Sequence, residues 1–293
     1  MRSGVACVRG SILINNHMKM NKNSISSKVT QALYSRSKSE YWKLVTSIGA
    51  VIDEGNLSDL LLLVESNHAN SKALYGDILS RAVSLDDGLK SKAFIHVTQM
   101  LSDESIDVIT SALFATRNAA QPPSYKKEFL QLSESDSVKV RRACASVAPY
   151  YVMPDVEGST ADEDILSAAL KLGRDEDEEV RNWATFAFAN GIDNDSPGIR
   201  GHLKQQLEDS FQDVRQEAAV ALALRKDRSV YDLIQKELSN KGPAPLWIDA
   251  AGNTRDEMFL PRLRELRSLH ANDNDLSYIY SIDDAIENIS YNH

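Results

Sequence analysis

The sequence predicts an all-α fold, a right-handed solenoid of stacked antiparallel helix pairs. Three observations predict it. From about residue 40 onward, apolar residues recur at helical spacing nearly everywhere. No period-2 strand run interrupts them, and Pro and Gly stand between the periodic segments. Finally, one segment keeps returning. "SVKVRRACASVA", "DEEVRNWATFAFA" and "FQDVRQEAAVALA" each carry a Val followed by Arg, with apolar residues at +4, +7 and +8 from that Val. A helix pair that returns every 34 to 40 residues cannot bury its apolar face alone, so it must stack on its neighbours.

Residues 1–39 stand apart from this pattern. They contain no acid and much Ser, and residues 1–43 carry eight Lys or Arg against Glu40 alone. They are expected to form a disordered basic tail ahead of a single repeat domain over 40–293. An acid-free, Ser-rich leader also has the composition of a mitochondrial transit peptide, and Met18 or Met20 is an alternative start to Met1. Arg9 breaks the one apolar run that resembles a secretory signal.

A weak copy comes first in the repeat domain: "DDGLKSKAFIHV" sets Asp86 six residues before Lys92. The clearest copies lie over 130–240. Their core positions are Val140, Cys144, Val147 and Ala148; then Val180, Ala184, Ala187 and Phe188; then Val214, Ala218, Ala221 and Leu222. Arg141, Arg181 and Arg215 follow the three valines, and Ser135, Asp175 and Asp209 precede those arginines by six, as expected of helix caps. A second kind of helix alternates with them: "EDILSAALKL" (163–172), "GIRGHLKQQL" (198–207), "VYDLIQKEL" (230–238) and "FLPRLRELRSL" (259–269). Turns with Gly, Pro, Asn or Asp separate the two kinds. "LWIDAAGN" (246–253) and "DLSYIYSIDDAIENI" (275–289) read as degenerate terminal copies that cap the stack.

These residues resemble the HEAT-repeat family, in the subtype shared with phycobilisome-linker lyases. The "DxxxxVRxxAxxAL" pattern of "DEDEEVRNWATFAFA" and "DSFQDVRQEAAVALA" carries the resemblance. It implies an α-solenoid with a curved groove lined mainly by the second helices, and an Asp–Arg ladder through Arg141, Asp175, Arg181, Asp209 and Arg215. It implies no single activity.

Bulk properties narrow the function. The net charge of -9 argues against general nucleic-acid binding, which needs a basic face. The acidity is concentrated: residues 155–195 hold twelve acids against Lys171, Arg174 and Arg181. Cys7 and Cys144 have no zinc spacing and suit a reducing, cytoplasmic setting. No apolar run is long enough to span a bilayer.

Catalytic and metal chemistry find no motif. Asp175, Asp177 and Glu179 alternate like a calcium loop, but Val180 stands where such a loop needs Gly and Phe186 where it needs Glu. Acids there suit the N-terminal end of a helix. His17, His68, His96, His202, His270 and His293 form no paired metal motif, and no nucleophile elbow, phosphate loop or dinucleotide fingerprint occurs. No cofactor is therefore expected.

Binding is left as the expected work. Trp183 and Phe186 fall at +3 and +6 from Val180, off the core face, where an aromatic serves either as a contact or as a wedge against the next helix. The second helices offer Lys126, Lys127, His202, Lys204, Gln205, Gln206, Arg262, Arg264 and Arg267. The excess acids Glu176, Glu178 and Glu179 suggest a basic partner. The expectation is a non-enzymatic protein-binding scaffold, with an inhibitor or immunity protein as one form. A lyase or chaperone for a tetrapyrrole, and nucleic-acid binding through the tail and groove, are the alternatives.

Overall fold

The computed structural model describes residues 25–83, 85–119, 122–152, 162–271 and 274–291. The tail up to residue 24, with Cys7, His17 and the alternative starts, lies outside them, as do His293 and the acidic stretch 155–161. Every regular element among the described residues is helical. The α-helices, in chain order, are α1 (Ile25–Tyr34), α2 (Lys38–Gly49), α3 (Glu54–Val64), α4 (Ala69–Leu79), α5 (Asp87–Ala93), α6 (Val97–Leu101), α7 (Ile106–Thr116), α8 (Lys126–Leu132) and α9 (Val138–Val152). They continue with α10 (Glu163–Leu172), α11 (Glu178–Asn190), α12 (Pro197–Gln206), α13 (Gln212–Leu224), α14 (Tyr231–Leu238), α15 (Pro245–Thr254), α16 (Leu260–Leu269) and α17 (Leu276–Ser290). Among the described residues the first helix starts at Ile25, and residues 25–39, grouped with the tail by composition, supply α1 and the start of α2.

Two rows make up the solenoid. Helices α2, α4, α7, α9, α11, α13, α15 and α17 form a row in which each packs on the next. Helices α3, α6, α8, α10, α12, α14 and α16 each pair with a member of that row. The reason is visible in the repeat pattern. All twelve core positions named from the sequence, Val140 through Leu222, are buried at 0 or 1% exposure. A helix with apolar residues at 0, +4, +7 and +8 has one stripe to bury, and the paired helix covers it. Small residues such as Ala184, Ala187, Ala218 and Ala221 let the neighbouring backbones approach. At the C-terminal end the approach is closer still: a Cβ on Gly252 of α15 would lie 2.7 Å from Cα of Ala285 on α17.

An arginine ladder sets the register between repeats. Arg141 holds Asp175 in a two-pronged bond of 2.7 and 2.9 Å, and Arg181 holds Asp209 with the same two distances. Each arginine also donates backward to its own loop, Arg141 to the carbonyls of Ser135 and Asp136, Arg181 to those of Asp175 and Glu176. Among the described residues Arg215 makes only the backward bonds, to the carbonyls of Asp209 and Ser210. The next loop, "NKGPAP", has no acid to receive it.

The caps differ from the expectation. Asp177, not Asp175, caps α11, with its carboxylate accepting from the Val180 N–H at 3.0 Å. Asp175 and Asp209 instead accept from the backbone N–H two residues on, at 3.0 and 2.8 Å. That short turn leaves their remaining lone pairs facing the arginine of the preceding repeat. Burial alone would raise both carboxyls, but the arginine and backbone N–H bonds outweigh it and hold them below the ordinary range.

Candidate functional site

Two adjoining clefts open on the Val-Arg row. The first, about 510 Å³, lies across α7, α9 and α11. The second, about 500 Å³, lies across α11, α13, α15 and α17, and Phe186 and Asn190 line both. The resemblance implies a groove lined mainly by the second helices; these two clefts are lined by the Val-Arg helices. The register explains why. Positions 0, +4, +7 and +8 face the core, so +6 and +10 face outward. Those outward positions are Ser146 and Tyr150, Phe186 and Asn190, Val220 and Leu224, and all six line the clefts.

The first cleft is aromatic and cationic. Trp183 is 38% exposed and Tyr150 42% exposed. Trp183 and Phe186 meet edge to face with centroids 5.5 Å apart. Across the cleft the Arg117 guanidinium sits 5.3 Å from the Phe114 ring centre and 5.9 Å from that of Tyr150. Arg142 also lines the cleft and reaches the capping carboxylate of Asp177 at 3.2 Å. Both cations thus have aromatic or carboxylate neighbours already in place.

The second cleft is acidic. Glu217, Asp249 and Asp284 line it with Val220, Leu224 and Leu246. Glu217 is 7% exposed, and its Oε2 has no hydrogen-bond partner. Burial first, then the charges of Asp213 and Asp249, push its carboxyl up to about 7. Burial first, then Asp284, raises Asp249 as well. Glu217 stands at +3 from Val214, the position that Trp183 holds from Val180. Its significance depends on α15 and α17, which arrive from later in the chain. Arg117, Arg142, Tyr150, Asp249 and Asp284 were not singled out, because they become site residues only once the row aligns them.

The remaining sequence candidates fall in three places. Glu176 and Glu178 are exposed at the head of α11, and Glu179 is half-buried one turn before Trp183 on the same side. On the second helices Arg264 is exposed on α16, while Lys204 on α12 is engaged with Asp227 at 2.9 Å. Arg262 is committed to structure, donating to the carbonyls of Leu238, Ser239 and Asn240 at the end of α14. His202 is a correction: it is 1% exposed, beneath Gly173, and so cannot touch a partner. Lys126 and Arg267 are paired with carboxylates, and Gln206 is buried against the Gly173 carbonyl. Cys144 is buried within α9.

A continuous row of stacked helix pairs with clefts along one face defines an α-solenoid of the HEAT and armadillo-like kind, an architecture typical of protein-binding scaffolds. Comparison with known proteins places it more closely. No family model matches the chain. Protein YibA of Escherichia coli strain K12 is 30% identical over 169 residues, which is 56% of this chain and 56% of YibA. The match thus spans about half the length of that relative. An X-ray structure of YibA superposes over 89% of this chain and 91% of its own, with TM-score 0.60 and 21% identity. A crystal structure of Kap121p covers 90% of this chain with 33% of its own, at TM-score 0.60 and 15% identity. Among the described residues no helix is long and apolar enough to cross a membrane, and no cluster of three metal-ligating side chains occurs.

Proposed function

We propose that the chain is a non-enzymatic scaffold that binds another protein along the Val-Arg row, through a basic segment of that partner. The observation that carries this is the first cleft, where Trp183, Phe186 and Tyr150 stand partly exposed on helices locked by the arginine ladder. Rigid aromatic anchors in a preformed cleft are what a protein interface concentrates its energy on, since little order is lost when they are covered. Charge supports a basic partner. Glu176, Glu178 and Glu179 stand at the head of α11, the helix that carries Trp183 and Phe186, and three carboxylates line the second cleft. An inhibitor that covers the basic site of its target is one form such a scaffold takes.

The test is quantitative affinity purification with the wild-type chain and single variants that keep the helical circular dichroism. Trp183→Ala and Phe186→Ala are expected to lower capture of the specific partner about tenfold or more, the loss typical of an interface anchor. Arg264→Ala, on the other row, is expected to leave capture unchanged. Equal capture by all three overturns the assignment of this face.

A further inference from the structure

We propose that the second cleft receives a single arginine side chain of the bound partner, with Glu217 as its deepest contact. This rests on the scaffold reading and names what the acidic half of the surface takes. The starting point is the buried Oε2 of Glu217, which has no hydrogen-bond partner among the described residues. A buried carboxylate oxygen without a partner is costly, and the stacking does not require one. The two preceding helices of the row carry Ala143 and Trp183 at the same +3 position and stack in the same way.

The surroundings of Glu217 specify the missing partner. Asp249 on α15 and Asp284 on α17 line the same cleft, so three helices each contribute a carboxylate. No Lys, Arg or His lines it. The occupant is therefore a cation. It is not a metal ion, because the carboxylates do not cluster closely enough to ligate one. The walls are Val220, Leu224 and Leu246, which suit a methylene stem, while Asn190 and Asn253 add amide groups at the sides. Acceptors spread over several directions match a guanidinium, which is planar and carries five donors. It is also less hydrated than an ammonium and easier to bury. The elevated Glu217 carboxyl fits this arrangement, since a guanidinium against it would favour the ionised form.

The experiment uses the full chain and a fluorescein-labelled pentapeptide, Ala-Leu-Arg-Leu-Ala, with counterparts carrying lysine or citrulline in the centre. Citrulline keeps the shape of arginine and removes its charge. Fluorescence anisotropy is expected to show the arginine peptide binding roughly tenfold or more tightly than the citrulline peptide, with lysine between them. Glu217→Gln, nearly the same shape, is expected to abolish the difference, and the half-buried Asp249→Asn to reduce it severalfold. No measurable binding, equal binding of arginine and citrulline, or discrimination that survives both substitutions overturns the proposal. Lysine binding as tightly as arginine overturns the guanidinium assignment. The two readings fail separately. Partner capture that depends on Trp183 without any preference for arginine leaves the scaffold standing and sinks this site; arginine preference without Trp183-dependent capture does the reverse.

Discussion

Two buried side chains, Glu217 and His202, are pushed in opposite directions, and their effects on stability oppose each other. His202 is held down at about 4, by burial first and by the Arg174 charge second. Above its ordinary value of 6.5 this costs nothing. Below it the unfolded chain takes up a proton that the folded chain refuses. Stability therefore falls as pH drops from 6.5 to 4, by about 3 kcal/mol at most. Glu217, raised from 4.5 to about 7, works the other way: its contribution is complete below 4.5 and is lost as pH rises through 7. Between 4.5 and 6.5 the two slopes offset each other. His202→Leu is accordingly expected to make the thermal midpoint rise more as pH falls through that window, and Glu217→Gln to make it fall more. Asp77, raised to about 6 mainly by burial, is common to all three proteins and drops out of the comparison. Parallel midpoint-against-pH profiles for wild type and both variants would refute the assignment. The burial of His202 was not legible in "GIRGHLKQQL", where it sits among polar residues. It follows from Gly173 in another helix pair, where a Cβ would lie only 2.4 Å from His202 Nε2.

Between elements, the ladder decides how strongly one repeat holds the next. Arg181 and Asp209 are largely shielded, with side-chain exposures of 14 and 9%, and their two-pronged bond joins separate repeats. Arg215 has the same backward bonds and no forward carboxylate. Arg181→Ala is expected to cost about 3 kcal/mol, because it strands a mostly buried Asp209, and Arg215→Ala about 1 kcal/mol. Urea unfolding midpoints of the two variants check this, and equal losses would show that the forward bond adds nothing. This layer was the most legible part of the sequence, because a Val-Arg pair six residues after an acid is a local pattern that recurs in register. Legibility ended where the cause became non-local. Whether Asp175 or Asp177 caps α11 depends on which carboxylate the preceding arginine captures. Which row carries the clefts depends on how the rows pack, and spacing within one helix does not reveal that. Trp183 and Phe186 were visible early because an aromatic off the core stripe breaks a pattern that is otherwise regular.

Over the whole molecule, each helix pair touches chiefly its neighbours, so the binding face is a row whose chemistry changes along its length. Aromatic rings and two partnered arginines occupy α7 to α11, and the carboxylates of Glu217, Asp249 and Asp284 occupy α13 to α17. A ligand that spans both clefts must be extended and mixed in character, with an apolar part and a cation some distance along. The acids at the head of α11 act earlier, on approach. Glu176 and Glu178 are exposed, with Glu179 beside them, and their field reaches about 8 Å into solution at physiological salt. The variant Glu176→Lys, Glu178→Lys, Glu179→Lys reverses that field while keeping Asp177, which caps α11 and pairs with Arg142. Association with a basic partner is expected to slow by about tenfold or more at low salt, and by less at 0.15 M, because steering is screened there. Dissociation should change little, since these carboxylates lie outside both clefts. Stopped-flow or surface-resonance rates at two salt concentrations separate the outcomes. An on-rate that is unchanged at low salt would remove the three glutamates from the binding reaction and leave recognition to the clefts alone.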